Sequence, residues 1–323
     1  MGGDPPTMQS MEFSYADVCA AREIVRRYLP PTPMWSYPVL DRLAGATVLV
    51  KHENTQPVGA FKVRGGLTLL ASLPDPERGT VTYSTGNHAQ SMAYASRIFG
   101  APCTVVMPAA ANPAKAAAVE AWGAEVVLTG DDLAAAEEYA GKLAEETGAR
   151  LVSPGDTAEL LAGVGTLYQE ILEARPDLDA IVVPIGSGSG AAAATVVARE
   201  LAPGCRIIGV QSAASPAAHD SWRDGTLVSR PNRTRVDGLA TGRAFAGPQR
   251  HLRDLADFVL VTDDQIAEAQ RVLARDAHTL AEGAGAAPLA AVLADRERFA
   301  GRAIAIVCTG GNASSGEIAA LAA

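Results

Sequence analysis

Long apolar runs are missing from this sequence of 323 residues. The longest ones, around Ile181 and Ile304, fall well short of the roughly 20 residues that cross a bilayer, and glycines interrupt them. The first ten residues, MGGDPPTMQS, also lack a basic region followed by an apolar one. The sequence therefore predicts a protein with no membrane association and no secretion signal.

Basic residues and cysteines are scarce as well. The 27 Lys and Arg residues are outnumbered by 36 Asp and Glu, and the net charge of −9 would repel a nucleic-acid backbone, so we expect no nucleic-acid partner. The only cysteines are Cys19, Cys103, Cys205 and Cys308, far apart and without metal-ligand spacing. This pattern predicts reduced thiols in a cytoplasmic protein and no metal site.

Short β-branched runs alternate with helical runs along most of the chain. Nine strand candidates lie at 46–50, 80–83, 103–107, 125–128, 151–152, 181–183, 207–210, 258–261 and 303–307. Such alternation is typical of parallel sheets with helices on both faces, and nine strands exceed one average sheet. We therefore predict an α/β fold of two domains, each an open, mostly parallel twisted sheet flanked by helices.

Breaks in the pattern at 74–76 and 153–156 suggest the domain limits. They predict a small domain over residues 76–154 and a large domain formed by residues 1–75 and 155–323. The active site is expected in the cleft between the two domains.

The segment 51–66 reads KHENTQPVGAFKVRGG and separates a strand candidate from a helical run, which places Lys62 at or just inside a helix start. There the helix dipole and burial would both lower the pKa of its ammonium group, as an amine nucleophile requires. A surface lysine is the alternative. The surrounding Pro57, Gly59, Gly65 and Gly66 favour a functional role.

A second segment predicts an anion site between the strand candidate at 181–185 and a helical run at 191–200. The loop between them consists of Gly186, Ser187, Gly188, Ser189 and Gly190. Backbone N–H groups and a helix N-terminus converge on a phosphate in such a loop, although a turn with nothing bound is also open. The fit of this loop to G-x-G-x-x-A raises a nicotinamide-dinucleotide oxidoreductase as a rival, which Gln211, standing where an acid is needed, weakens.

Four motifs carry a resemblance to a known family: the lysine segment, STGNHAQ at 84–90, the glycine loop and CTGGN at 308–312. Their order and spacing resemble those of the threonine dehydratase and serine racemase family over about residues 15–314. VDGLA at 236–240 and EGAGA at 282–286 are further matches. The resemblance implies fold type II, pyridoxal 5'-phosphate as cofactor and a homodimer.

The resemblance also implies residue roles for the cofactor. Lys62 would form a Schiff base with it and act as general base, and Phe61 would pack beside it. Asn87 would bind the ring hydroxyl, the loop 186–190 would hold the phosphate, and Thr309 would hydrogen-bond the pyridine nitrogen. Asn87 could instead cap a helix beginning near residue 88.

The substrate is expected to be a small amino acid. Its carboxylate would be held by Ser84, Thr85, His88 and backbone amides of the same loop. Gly155 stands where relatives carry a larger residue near the substrate, so the site could accept a side chain bulkier than that of threonine. Glu282 either lies near the cofactor or is only a first-turn helix charge.

The implied reaction is elimination of water from a β-hydroxy amino acid, which yields a 2-oxo acid and ammonia. A neutral Thr309 hydroxyl, unlike a carboxylate, would favour prompt loss of the β-substituent. Alternatives are an amino-acid racemase, which the Thr85 hydroxyl keeps open, and a lyase or β-replacement enzyme for another leaving group. Gln211 and Ala217 replace metal-binding carboxylates of the racemase branch, and the short segment after Asn312 leads us to expect no regulatory domain.

Overall fold

The computed structural model describes residues 13–322, so the predicted absence of a secretion signal concerns residues outside that range. The strands of the described chain are β1 (Met34–Ser36), β2 (Thr47–His52), β3 (Thr80–Tyr83), β4 (Cys103–Met107), β5 (Glu125–Leu128), β6 (Arg150–Val152), β7 (Ala180–Pro184), β8 (Arg206–Ser212), β9 (Asp257–Val261) and β10 (Ala303–Cys308).

The helices of the same residues are α1 (Tyr15–Val25), α2 (Pro38–Ala44), α3 (Val63–Ala71), α4 (Asn87–Phe99), α5 (Pro113–Glu120), α6 (Leu133–Thr147), α7 (Ala158–Ala174), α8 (Ser189–Leu201), α9 (Ala217–Asp224), α10 (Ala246–Leu252), α11 (Asp263–Asp276), α12 (Gly283–Ala294), α13 (Arg296–Phe299) and α14 (Ser315–Ala320). Short 3-10 turns occur at Glu53–Thr55, Pro76–Arg78 and Asp237–Leu239.

The strands form two sheets. The larger has the order β1-β2-β10-β7-β8-β9, with β1 antiparallel to β2 and all other neighbours parallel. The smaller has the order β5-β4-β3-β6 and is parallel throughout. The predicted α/β class with two mostly parallel sheets is confirmed. Only β1 had no strand candidate, because three residues between prolines are too few to show a pattern.

The strands of the small sheet all fall between residues 80 and 152, and those of the large sheet fall outside that range. The exact domain limits, 76–154 for the small domain and 1–75 with 155–323 for the large one, remain a prediction.

Both faces of the large sheet are covered by apolar packing. Along β10, Ala305 and Val307 join one buried cluster, whereas Ile304 and Ile306 join another on the opposite face. This alternation is what a parallel sheet with helices on both faces requires. None of the helices within residues 13–322 has the length and apolarity to span a membrane.

The carboxyl ends of three strands position the loops that the sequence singles out. Segment 84–88 follows β3, the glycine loop follows β7, and Thr309 follows β10. Ligands of open parallel sheets bind at these ends. The fold thus directs three motifs that are far apart in sequence toward one region.

Candidate active site

A cavity of about 390 Å³ lies at these strand ends and is lined by residues that follow strands of both sheets. It collects the predicted site residues Phe61, Lys62, Ser84, Thr85, Asn87, His88, Gly186, Ser187, Gly188, Ser189, Gly190 and Thr309. Among the predicted residues, Gly155 is not part of the lining. The cavity is within the size range of small-molecule sites.

Lys62 is the residue immediately before α3, as the sequence predicts. Its Nζ donates a hydrogen bond to Ser189 Oγ at 2.7 Å, and it lies 5.2 Å from the centre of the Phe61 ring. Burial lowers the pKa of this ammonium group to about 8. An appreciable fraction of the amine is therefore unprotonated near neutral pH, which a nucleophile or base needs.

The glycine loop has the geometry of an anion cradle. Gly188 has φ +91°, a left-handed conformation that glycine adopts without strain, and a Cβ on Gly186 would lie 2.2 Å from the carbonyl oxygen of Gly238. Helix α8 begins at Ser189, so its first N–H groups and the positive end of its dipole face the loop. Together with the Lys62 amine, this cradle fits a ligand that carries both a phosphate and an aldehyde.

Asn87 begins α4, but its side chain is not the helix cap, which Gly86 occupies. Its Nδ2 donates to Glu282 Oε1 at 2.6 Å, and its Oδ1 accepts from Asn312 Nδ2 at 2.8 Å. The alternative of a capping asparagine is therefore wrong. Glu282, which the sequence left open, lines the cavity, and burial raises the pKa of its carboxyl group to about 7.

His88 is a neutral side chain whose N–H is already used. Burial and the nearby Lys62 lower its pKa to about 3. The Thr82 hydroxyl donates to Val152 O at 2.7 Å, so the 2.8 Å contact between Thr82 Oγ1 and His88 Nε2 requires His88 to donate. In this arrangement the imidazole has no N–H for a substrate carboxylate, and that predicted role is left to the other groups of the loop.

Gly155 packs against an aromatic ring rather than lining the cavity. A Cβ at this position would lie 2.5 Å from Phe245 Cδ1, and Phe245 itself lines the cavity. The extra room that the sequence predicts here is therefore filled by Phe245. No local sequence signal indicates this replacement, because the two residues are 90 positions apart.

Gln211 and Ala217, which stand where the racemase branch carries metal-binding carboxylates, both lie in the large-sheet part of the structure. Gln211 Oε1 accepts the backbone N–H of His219 at 3.1 Å, and Ala217 is buried at the start of α9. Within residues 13–322, no group of three or more His, Cys, Asp and Glu side chains is arranged to hold a metal ion.

Comparison with known proteins places this geometry in a family. Residues 25–310 match the family described as "Pyridoxal-phosphate dependent enzyme". The chain is 41% identical over 272 residues to an L-threonine ammonia-lyase of Geobacter sulfurreducens, covering 83% of this chain and 68% of the relative. It is 33% identical over 303 residues to an L-threo-3-hydroxyaspartate ammonia-lyase of Saccharomyces cerevisiae, covering 93% of each.

The fold comparison agrees. The structure of maize serine racemase superposes with a TM-score of 0.90 at 29% identity, covering 94% of this chain and 95% of that one. The predicted resemblance is confirmed, and the nicotinamide-dinucleotide alternative is wrong. The lysine beside the anion cradle and the match over residues 25–310 lead to one conclusion: this chain belongs to the pyridoxal-phosphate dependent enzyme family.

Proposed function

We propose that this protein is an ammonia-lyase that eliminates water from a β-hydroxy amino acid and yields a 2-oxo acid and ammonia. The observation that carries this proposal is geometric: the Lys62 amine, 2.7 Å from Ser189 Oγ, lies in one cavity with the glycine loop and the neutral Thr309 hydroxyl. Relatives named threonine and hydroxyaspartate ammonia-lyases support the same reaction class.

The chain's own residues would hold the cofactor at three points. Lys62 would anchor it covalently, the loop 186–190 would bind its phosphate through backbone N–H groups, and Thr309 would face its ring nitrogen. When bound, pyridoxal phosphate withdraws electrons from the substrate's α-carbon and makes the α-proton acidic. Thr309 carries no charge, so it does not hold a proton on the ring nitrogen as a carboxylate would.

Lys62 is the group that would move the α-proton. Its lowered pKa of about 8 suits a general base, and the Ser189 hydroxyl at 2.7 Å orients its Nζ within the cavity. The backbone oxygen of Pro154 at 3.4 Å and Ser187 Oγ at 3.5 Å are further acceptors for the amine. These contacts would hold the amine at the edge of the glycine loop, where it could accept the α-proton.

Segment 84–87 would bind the substrate carboxylate. Ser84, Thr85 and Gly86 line the cavity just before α4, whose first backbone N–H groups have no partner within the helix and could bind an anion. Phe245 and Pro154 also line the cavity and would supply an apolar wall beside the substrate's side chain. This wall favours a side chain with an apolar portion beyond the β-hydroxyl.

Racemisation of the amino acid is a second candidate. The observation that favours it is the Thr85 hydroxyl, which lines the same cavity as Lys62 and offers a second acid-base group. We also propose that the protein is a cytoplasmic homodimer. The four cysteines, all within the described residues, are unpaired, which suits a reducing compartment; sedimentation analysis would test the dimer.

The test is to supply the purified holoenzyme with L-serine, L-threonine, L-threo-3-hydroxyaspartate and L-threo-3-phenylserine. We expect ammonia and a 2-oxo acid in equal amounts from at least one of them, and no product from Lys62→Ala. Chiral chromatography of the remaining amino acid measures the D-isomer. Accumulation of the D-isomer without ammonia would overturn the lyase proposal in favour of the racemase.

A further inference from the structure

Four segments of the chain meet in one line of side-chain hydrogen bonds beside the cavity. Asn312 Nδ2 donates to the backbone oxygen of Val58 at 2.9 Å and to Asn87 Oδ1 at 2.8 Å. Asn87 Nδ2 then donates to Glu282 Oε1 at 2.6 Å. The line starts four residues before Lys62 and ends at a carboxyl group of the cavity wall.

This line determines which way the Asn87 amide points. Asn312 has two amide N–H groups, and both are used, one on Val58 O and one on Asn87 Oδ1. A flipped Asn87 would place N–H against N–H and its oxygen against the Glu282 carboxyl group. The acceptor at Glu282 therefore keeps the Asn87 NH2 group on one side and leaves its second N–H for a ligand, since Asn87 lines the cavity.

The chain makes room for this carboxyl group at Gly310. A Cβ there would lie 2.3 Å from Glu282 Oε1 and 3.1 Å from Asn87 Nδ2. Gly310 directly follows Thr309, so the Glu282 and Asn87 pair lies beside the group that would face the ring nitrogen of the cofactor. Any side chain at position 310 would displace both partners.

The charges around Glu282 come from several elements. Burial is the largest influence on the pKa of Glu282, and it raises it. The hydrogen bond from Asn87 and the charge of Lys115 on α5 favour the ionised form, whereas Glu317 on α14 and Asp237 in the turn 237–239 oppose it. Below it, the Cys308 thiol has its pKa raised by burial and by Glu282 itself. The carboxyl group thus changes charge near pH 7.

We propose that Glu282 is a positioning residue for the cofactor: it holds the Asn87 amide so that its free N–H faces the ring hydroxyl of pyridoxal phosphate. A carboxylate beside that hydroxyl disfavours its anion, and the neutral carboxylic acid does not. The absorbance spectrum of the bound cofactor should therefore change as Glu282 titrates. This inference rests on the family's cofactor and not on the lyase reaction, because no amino acid is needed to observe it.

The experiment adds pyridoxal phosphate, or inorganic phosphate as a probe of the glycine loop alone, to the cofactor-free protein. For Glu282→Ala we expect the dissociation constant of pyridoxal phosphate to rise at least tenfold and that of phosphate to change less than threefold. Glu282→Gln retains an acceptor for Asn87, so its affinity should stay within threefold of the wild type. It should, however, lose the absorbance change near pH 7, measured from pH 5.5 to 8.5.

Glu137→Gln is the matched control, because Glu137 accepts hydrogen bonds from Tyr83 and Arg243 and is not among the residues that line the cavity. It should keep both affinities and the absorbance change. Wild-type affinity in Glu282→Ala, equal losses for both ligands, or an absorbance change that persists in Glu282→Gln would each overturn the proposal. If Glu282→Ala does not fold, the absorbance of Glu282→Gln decides alone.

Discussion

Lys62 Nζ lies 2.7 Å from Ser189 Oγ, although 127 residues separate the two in the sequence. The contact joins the residue that precedes α3 to the first residue of α8. It brings the amine to the edge of the anion cradle, the geometry needed by a ligand that is bound through both its phosphate and its carbonyl carbon. Ser189 also gives the half-buried ammonium group of Lys62 a hydrogen-bond acceptor.

Burial of Lys62 should reduce the stability of the cofactor-free protein. The pKa of its ammonium group is lowered from 10.5 to about 8, so replacement by methionine should raise the free energy of unfolding at pH 7 by up to about 3 kcal/mol. Between pH 8 and 10.5 the unfolded chain binds more protons than the folded one. The free energy of unfolding of the wild type therefore rises with pH, and its difference from that of Lys62→Met narrows.

Urea unfolding at pH 7 and at pH 9.5 measures this difference. Lys142→Met is the control, because Lys142 is exposed on α6 and pairs with Glu138. Its replacement should change stability by less than about 1 kcal/mol at either pH. If the difference in free energy of unfolding between the wild type and Lys62→Met does not narrow from pH 7 to pH 9.5, burial of the charged amine is not its cause.

Arg64 should be a large contributor to stability. Its guanidinium group and the Glu53 carboxylate are both fully buried, and it also donates to Glu170 at 2.7 Å. Arg64→Met would leave two carboxylates short of a partner and should lower the free energy of unfolding by about 3–5 kcal/mol. Arg22→Met, which breaks the exposed pair with Glu173, should cost less than about 1 kcal/mol in the same urea titration. Similar losses in both variants would refute the difference in burial as the cause.

Gly155 should tolerate no side chain unless Phe245 is shortened. A Cβ at 155 would lie 2.5 Å from the Phe245 ring, so Gly155→Ala should push the ring into the cavity, cost about 1–3 kcal/mol and raise KM for the amino acid. Adding Phe245→Leu should restore KM. Gly141→Ala on α6, where a Cβ meets nothing within 4 Å, should instead stabilise by about 0.5–1 kcal/mol. An unchanged KM in Gly155→Ala would show that the Phe245 ring does not move into the cavity.

Loss of the Tyr168 hydroxyl should not lower the thermal stability of the protein and could raise it. The side chain is fully buried behind Gly190, and its hydroxyl has no hydrogen-bond partner among residues 13–322. An unsatisfied buried polar group costs about 1–3 kcal/mol, so Tyr168→Phe should equal or exceed the wild type in thermal stability. Tyr83→Phe is the matched control, since it loses a 2.6 Å bond to Glu137 and should be destabilised. A destabilised Tyr168→Phe would indicate an unrecognised partner for the hydroxyl.

The local motifs were predictable because their signals are contained in short segments. Apolar strand residues followed by small residues and a helical run predicted the glycine loop, and α8 begins within it. The same pattern placed Lys62 directly before α3. Such features depend on backbone preferences and helix ends, which act over a few residues.

The interactions between motifs were not predictable in this way. The partner of Asn87 is Glu282, 195 positions away, and no local pattern around Asn87 indicated that contact or excluded a helix cap. At Gly155 the missing side chain suggested space, yet Phe245 fills it. In both places the outcome depends on which side chains from distant segments compete for one volume and one set of hydrogen-bond partners.

The sequence alone therefore determined the α/β class, the position of Lys62 before a helix and the glycine loop, because hydrophobic periodicity and glycine placement are properties of short segments. The folded arrangement decided the protonation of Lys62, His88 and Glu282, since burial depends on what the rest of the chain places around each group. It also decided the orientation of the Asn87 amide. That orientation required Val58, Asn312 and Glu282 to meet at one side chain, and only packing of the two sheets brings them there.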